Sequence, residues 1–94
     1  MVVYEDAVRK AVFKGSLPRD IFERFNNVFI SLDTTHDLSL FDIKKLKSSE
    51  KRTYYRVRKG KYRAIFYIEE NNYFVISIAK REEVYDKWVW YLLD

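Results

Sequence analysis

Apolar residues at Tyr4, Ala7, Val8, Ala11 and Val12 recur at helical spacing, which predicts an amphipathic helix from about Tyr4 to Lys14. Gly15 can take the left-handed conformation that commonly ends a helix. Pro18 suits a first helical turn, and Ile21, Phe22, Phe25, Val28, Phe29 and Leu32 then continue the same period as a second helix. A turn this short makes the two an antiparallel helical hairpin. The polar run DTTHDLS at 33–39 reads as a loop. Residues 40–52, LFDIKKLKSSEKR, combine a short apolar segment with a basic polar connection and take no single element.

Beyond residue 52 the period changes. TYYRVRKGKYRAIFY, 53–67, reads as two strands joined at Lys59 and Gly60, EENN as a turn, and YFVISIA as a third strand rich in β-branched and aromatic residues. These form an antiparallel meander. In REEVYDKWVWYLLD, Val84, Tyr85, Trp88, Val89 and Leu92 return to helical intervals and predict a final helix. The order α, α, β, β, β, α predicts an α+β fold, with the helical hairpin packed on one face of a small antiparallel sheet.

Composition narrows the function. Ninety-four residues with 48% hydrophobic and 18% aromatic content are enough for one packed domain, 1–94, and too few for a second core. With no cysteine, disulfides, thiol catalysis and Cys-based zinc sites are excluded. The N-terminus has no signal-peptide pattern and no run approaches a membrane span, so a cytoplasmic protein without membrane contact is expected. The net charge of +4 decides little by itself. Its distribution says more: Lys51, Arg52, Arg56, Arg58, Lys59, Lys61 and Arg63 fall in thirteen residues without an acid.

A two-residue turn at Lys59 and Gly60 pairs 58 with 61 and sets Arg56 opposite Arg63. Alternation then puts Arg56, Arg58 and Arg63 on one face, with Tyr55, Val57, Tyr62, Ala64 and Phe66 on the other. A three-residue loop would turn Arg63 into the core, where a guanidinium demands a partner. The basic face fits two readings: a solvated surface covered by arginine stems, or a groove for single-stranded nucleic acid flanked by Tyr54, Tyr67 and Tyr85. Other chemistry is poorly represented. His36 is the sole histidine and reads as a surface residue, Glu82 and Glu83 suit a helix N-terminus, and two glycines cannot build a nucleotide loop.

With KKLK at 44–47, YYRVRKGKYRAIFYI at 54–68 and VISIAKREEVY at 75–85, the chain resembles the RelE family. These are ribosome-dependent mRNA interferase toxins within the RelE/ParE superfamily. The motifs cover the C-terminal half; the N-terminal helices agree in order and length. The resemblance implies a small antiparallel sheet with two helices on one side and mRNA in the ribosomal A site against the other. It also implies attack of a ribose 2′-hydroxyl on the adjacent phosphorus without metal or other cofactor. A RelB-like antitoxin is the implied partner, and operator DNA would be met only through it. WVWYLL, 88–93, suits such a partner or a helix closing a sheet edge.

By the same resemblance Arg56, Arg58, Arg63, Arg81 and Tyr85 match the family's catalytic positions. Lys45, Lys47, Lys51, Arg52, Lys61 and Lys80 would add RNA contacts. Arg63 and Arg81 would hold the scissile phosphate, and Tyr85 would stack on a base or move the 2′-hydroxyl proton. Some RelE toxins have lysines where this chain has Arg56 and Arg58, and guanidinium stays charged. The base would therefore have to come from Tyr85 or ribosomal RNA. Strand alternation after EENN puts Lys80 on the Arg63 face, making it the rival of Arg81. A ParE-like toxin binding DNA gyrase and a catalytically degenerate homologue are the alternative readings.

Overall fold

The computed structural model describes residues 1–46 and 52–88, with side chains through residue 84. Its elements are β1 (Val2–Tyr4), α1 (Asp6–Lys14), α2 (Arg19–Thr35), β2 (Ile43–Lys45), β3 (Tyr54–Lys59), β4 (Tyr62–Glu69), β5 (Asn72–Lys80) and α3 (Arg81–Trp88). A short 3-10 turn at Leu38–Leu40 precedes β2. The strands form one sheet in the order β1-β5-β4-β3-β2. The fold is α+β, as expected, and the meander β3-β4-β5 is its centre.

One strand flanks the meander on each side. β1 runs parallel to β5, pairing Val2 with Tyr73 and Tyr4 with Val75, so the first helix begins later than its apolar stripe suggests. Tyr4 belongs to a strand and still faces the helices, with its ring 4.9 Å from that of Phe22. A three-residue strand held by a partner about seventy positions away carries no local signal of its own. β2 pairs antiparallel with β3, Ile43 opposite Val57 and Lys45 opposite Tyr55. It occupies part of the segment that matched no single pattern.

The second helix also runs further than predicted, through Asp33, Thr34 and Thr35. The two threonine hydroxyls donate to Ile30 O and Ser31 O, each at 2.9 Å, and so are satisfied inside the helix. His36 ends it in the left-handed conformation, φ 53°. Its ring stacks on Tyr73 and its Nδ1 lies 2.9 Å from Tyr73 Oη, which ties the helix end to β5.

The main core lies between the helical hairpin and one face of the sheet. Val8 and Leu17 meet Phe25, Val28, Phe29 and Leu32 of α2 over Val57, Ala64, Phe66, Tyr73, Val75 and Ile78. Phe29 and Phe66 meet edge to face with centroids 5.1 Å apart, a geometry that adds to the area they bury. The opposite face has its own small cluster of Leu46, Ile65 and Val84. It is therefore not wholly basic, and α3 begins on the side away from the other two helices.

Candidate nucleic-acid interface

The β3–β4 turn decides how the arginines meet. Lys59 pairs with Tyr62 and Arg58 with Arg63, so the turn lies at Gly60 and Lys61, one position later than the sequence suggests. Gly60 has φ 61°, a conformation that glycine adopts at little cost. The shift changes each partner by two residues and leaves the faces intact. Arg58, not Arg56, is opposite Arg63; Arg56 is opposite Ile65.

A bulge in β5 completes the arrangement. Ile65 pairs with Ser77 and Phe66 with Val75, leaving Ile76 as an extra residue. The β4–β5 turn is even, with Glu69 paired to Asn72 around Glu70 and Asn71, both at positive φ. An uninterrupted ladder would therefore set Arg63 opposite Ile78, with Lys80 on the same face. The bulge moves Ala79 opposite Arg63 and Lys80 opposite Tyr62. Parity beyond it assigns the Arg63 face to position 81. Arg81 opens α3, and its backbone N–H donates to Lys61 O at 3.0 Å, fixing the helix start to the β3–β4 turn.

Three cross-strand rows cover this face. One runs from Asp42 through Arg58 and Arg63 to Ala79, the next from Lys44 through Arg56 and Ile65 to Ser77. The last runs from Leu46 through Tyr54 and Tyr67 to Phe74. In the first row Arg58 N donates to Asp42 O at 3.0 Å, and Arg58 Nε lies 2.5 Å from Asp42 Oδ2. Asp42 Oδ1 is 3.8 Å from Arg56 Nη1. Arg63 Nη1 donates to Gly60 O at 2.9 Å and Tyr62 O at 3.0 Å, folding the guanidinium back over the turn. The like-charged pair Arg58 and Arg63 is thus relieved on one side by a carboxylate and on the other by turn carbonyls, whereas uncompensated like charges in that position repel.

The third row is aromatic. Tyr67 and Phe74 stack with centroids 4.9 Å apart and planes 10° from parallel. Tyr54 meets Tyr67 edge-on at 6.0 Å. The Arg52 guanidinium sits 3.9 Å from the Tyr67 ring centroid and 3.8 Å from Glu69, a cation over a π-face. Tyr67 is buried and Tyr54 half-buried, so packing uses much of both rings.

The remaining predicted positions scatter. Lys45, opposite Tyr55, takes the helix-side parity, as does Lys80, while Lys61 is exposed in the turn. Tyr85 lies in α3 four residues after Arg81, with its side chain outside the described part. Lys47 and Lys51 lie outside the described residues. Two residues escaped sequence reasoning: Lys44, which is opposite Arg56, and Asp42. Their signal was the alternation Asp42, Lys44, Leu46, legible only once 43–45 is known to be a strand. Among the described residues no cluster of potential metal ligands occurs and no helix is long and apolar enough to cross a membrane.

The sequence matches no protein-family model and no curated protein, but the fold has solved counterparts. A chain of the RelB–RelE antitoxin–toxin complex from Methanococcus jannaschii superposes with a TM-score of 0.71 at 23% identity, over 92% of this chain and 98% of that one. A chain of the archaeal RelE–RelB complex from Pyrococcus horikoshii OT3 gives 0.67 at 26% identity, over 85% and 92%. This chain has a RelE-like fold. Both superpositions span nearly the whole length of the counterpart, so the sheet that carries the arginines belongs to the shared fold.

Proposed function

We propose that this RelE-like chain, residues 1–94, is a single-domain toxin held in check by a RelB-like antitoxin, and that it cleaves mRNA in the ribosomal A site in the cytoplasm. The observation that carries the reading is the Arg58–Arg63 cross-strand pair, with Arg56 beside it and Arg81 following the bulge. Guanidinium forks match phosphate geometry. Held in a fixed array, they favour the extra negative charge that develops when a 2′-hydroxyl attacks phosphorus. Arg63, already oriented by two turn carbonyls, would contact the scissile phosphate with Arg81, while Arg56 and Arg58 supply field. The row of Tyr54, Tyr67 and Phe74 with Arg52 above it supports a path for adjoining nucleotides, since stacking tolerates any base.

The test is expression of Arg63→Ala and Arg81→Ala variants, followed by toeprinting of translating ribosomes. Each should lower A-site cutting on the order of 10²–10³-fold and relieve growth arrest, with little change in melting temperature. Unchanged toxicity in both variants removes the mechanism. Toxicity accompanied by loss of supercoiling activity, without A-site cuts, would transfer the protein to the gyrase-binding class.

A further inference from the structure

Attack by a 2′-hydroxyl requires a proton acceptor, and arginine has none to offer at neutral pH. Two carboxylates, Asp42 and Glu69, pair with arginines of this face. Glu69 ends β4 beside Arg52, at the end of the strand away from the Arg58–Arg63 pair. Asp42 lies in the same cross-strand row as Arg58 and Arg63, exposed, with Oδ2 2.5 Å from Arg58 Nε and Oδ1 3.8 Å from Arg56 Nη1. We propose that Asp42 is the general base that takes the 2′-hydroxyl proton, an inference that rests on the nuclease reading above.

The geometry suits that task in two ways. A carboxylate offers about four lone-pair sites, and Arg58 meets Asp42 through Nε. Arg58 thereby holds the base in place while its charge still acts on the phosphate that Arg63 and Arg81 contact. The charged groups facing Asp42 are Lys44 along its own strand, Arg56 and Arg58 from β3, and Arg63 one strand further on. All are cations.

The step balances without another reactant. Asp42 accepts the proton from O2′, O2′ forms its bond to phosphorus, and the bond from phosphorus to O5′ breaks. The departing O5′ takes a proton from water, and Asp42 returns its own to solvent. As the carboxylate becomes neutral, the phosphoryl group gains the negative charge a few ångströms away, and the same arginines accompany it. Charge moves within a fixed cationic frame, with little reorganisation.

Asp42→Asn separates this role from the others, because asparagine can still accept from Arg58 Nε but cannot take the proton. On translating ribosomes Asp42→Asn and Asp42→Ala should cut on the order of 10²–10⁴-fold more slowly than wild type. Both should bind a short single-stranded RNA at least as tightly, having lost a negative charge. Asp42→Glu should keep most of the cutting, and added formate should partly restore it in Asp42→Ala. Cutting by Asp42→Asn at or above the wild-type rate would overturn the proposal and make Asp42 a competitor for the arginines. Wild-type protein that makes no A-site cuts would overturn the nuclease reading itself, and the base with it.

Discussion

The two faces of the sheet use the same strands for opposite purposes. Toward the helical hairpin, side chains from β3, β4 and β5 interlock with Phe25, Val28, Phe29 and Leu32 in a continuous apolar layer. Toward the other side the strands carry Arg56, Arg58 and Arg63, and among the described residues the apolar part is a smaller cluster of Leu46, Ile65 and Val84, with Tyr54, Ile76 and Ala79 against it and the Tyr67–Phe74 stack beside it. Burial on one side stabilises the fold, and that stability allows charges to be held close together on the other. Even there, Asp42 and the turn carbonyls balance what would otherwise be a column of repelling cations.

The sharpest test of this division compares truncations on the two sides. Phe29→Ala, at a site with no exposure, should cost about 3–5 kcal/mol in urea unfolding. Val84→Ala in the smaller cluster should cost about 2 kcal/mol. Equal losses would mean that both faces support the fold to the same degree. A smaller effect should follow from Gly60→Ala, because a side chain at φ 61° costs about 1–2 kcal/mol in left-handed backbone, with open space around the new methyl group. That loss should accompany a weakened Arg58–Arg63 hairpin in hydrogen exchange, with the helical hairpin unaffected.

The smallest effect is a pH response confined to the covered face. Burial pushes the Tyr4 hydroxyl well above its ordinary value of 10.0, and the group donates to Asn26 Oδ1 at 2.8 Å. The unfolded chain therefore loses this proton at lower pH than the folded one. Its contribution to stability is complete below about pH 10 and is lost as pH rises beyond that toward the folded value. Tyr4→Phe should cost about 1 kcal/mol at neutral pH and flatten the alkaline decline in melting temperature. An unchanged decline would assign it to other groups.

Much of this was legible in the residues themselves. Period-two alternation across 54–67 separated arginines from core side chains, and that separation survived a turn placed one position off, because both turns are even. Helical spacing identified the core residues of α2 for the same reason: side-chain direction follows from backbone period alone. The resemblance of 54–68 and 75–85 to RelE sequences agreed with the fold. Local chemistry misled at the margins. Thr34 and Thr35 looked like loop residues but found acceptors one turn back, whereas His36 is exposed as expected and also stacks on Tyr73.

What the sequence by itself determined was the kind of each long element and which side chains share its face. Tertiary structure alone decided which faces meet and in what register. β1 and β2 are three residues each, too short to show a period, and exist because β5 and β3 offer backbone partners. The bulge at Ile76 has no sequence signature that alternation can read, yet it turns Lys80 to the helix side and leaves the parity of Arg63 to position 81. Asp42 lay in a segment without an assigned element until β2 docked against β3 and brought it to Arg58. Such positions depend on contacts between distant segments, whose hydrogen bonds and charges exist only once the sheet has closed.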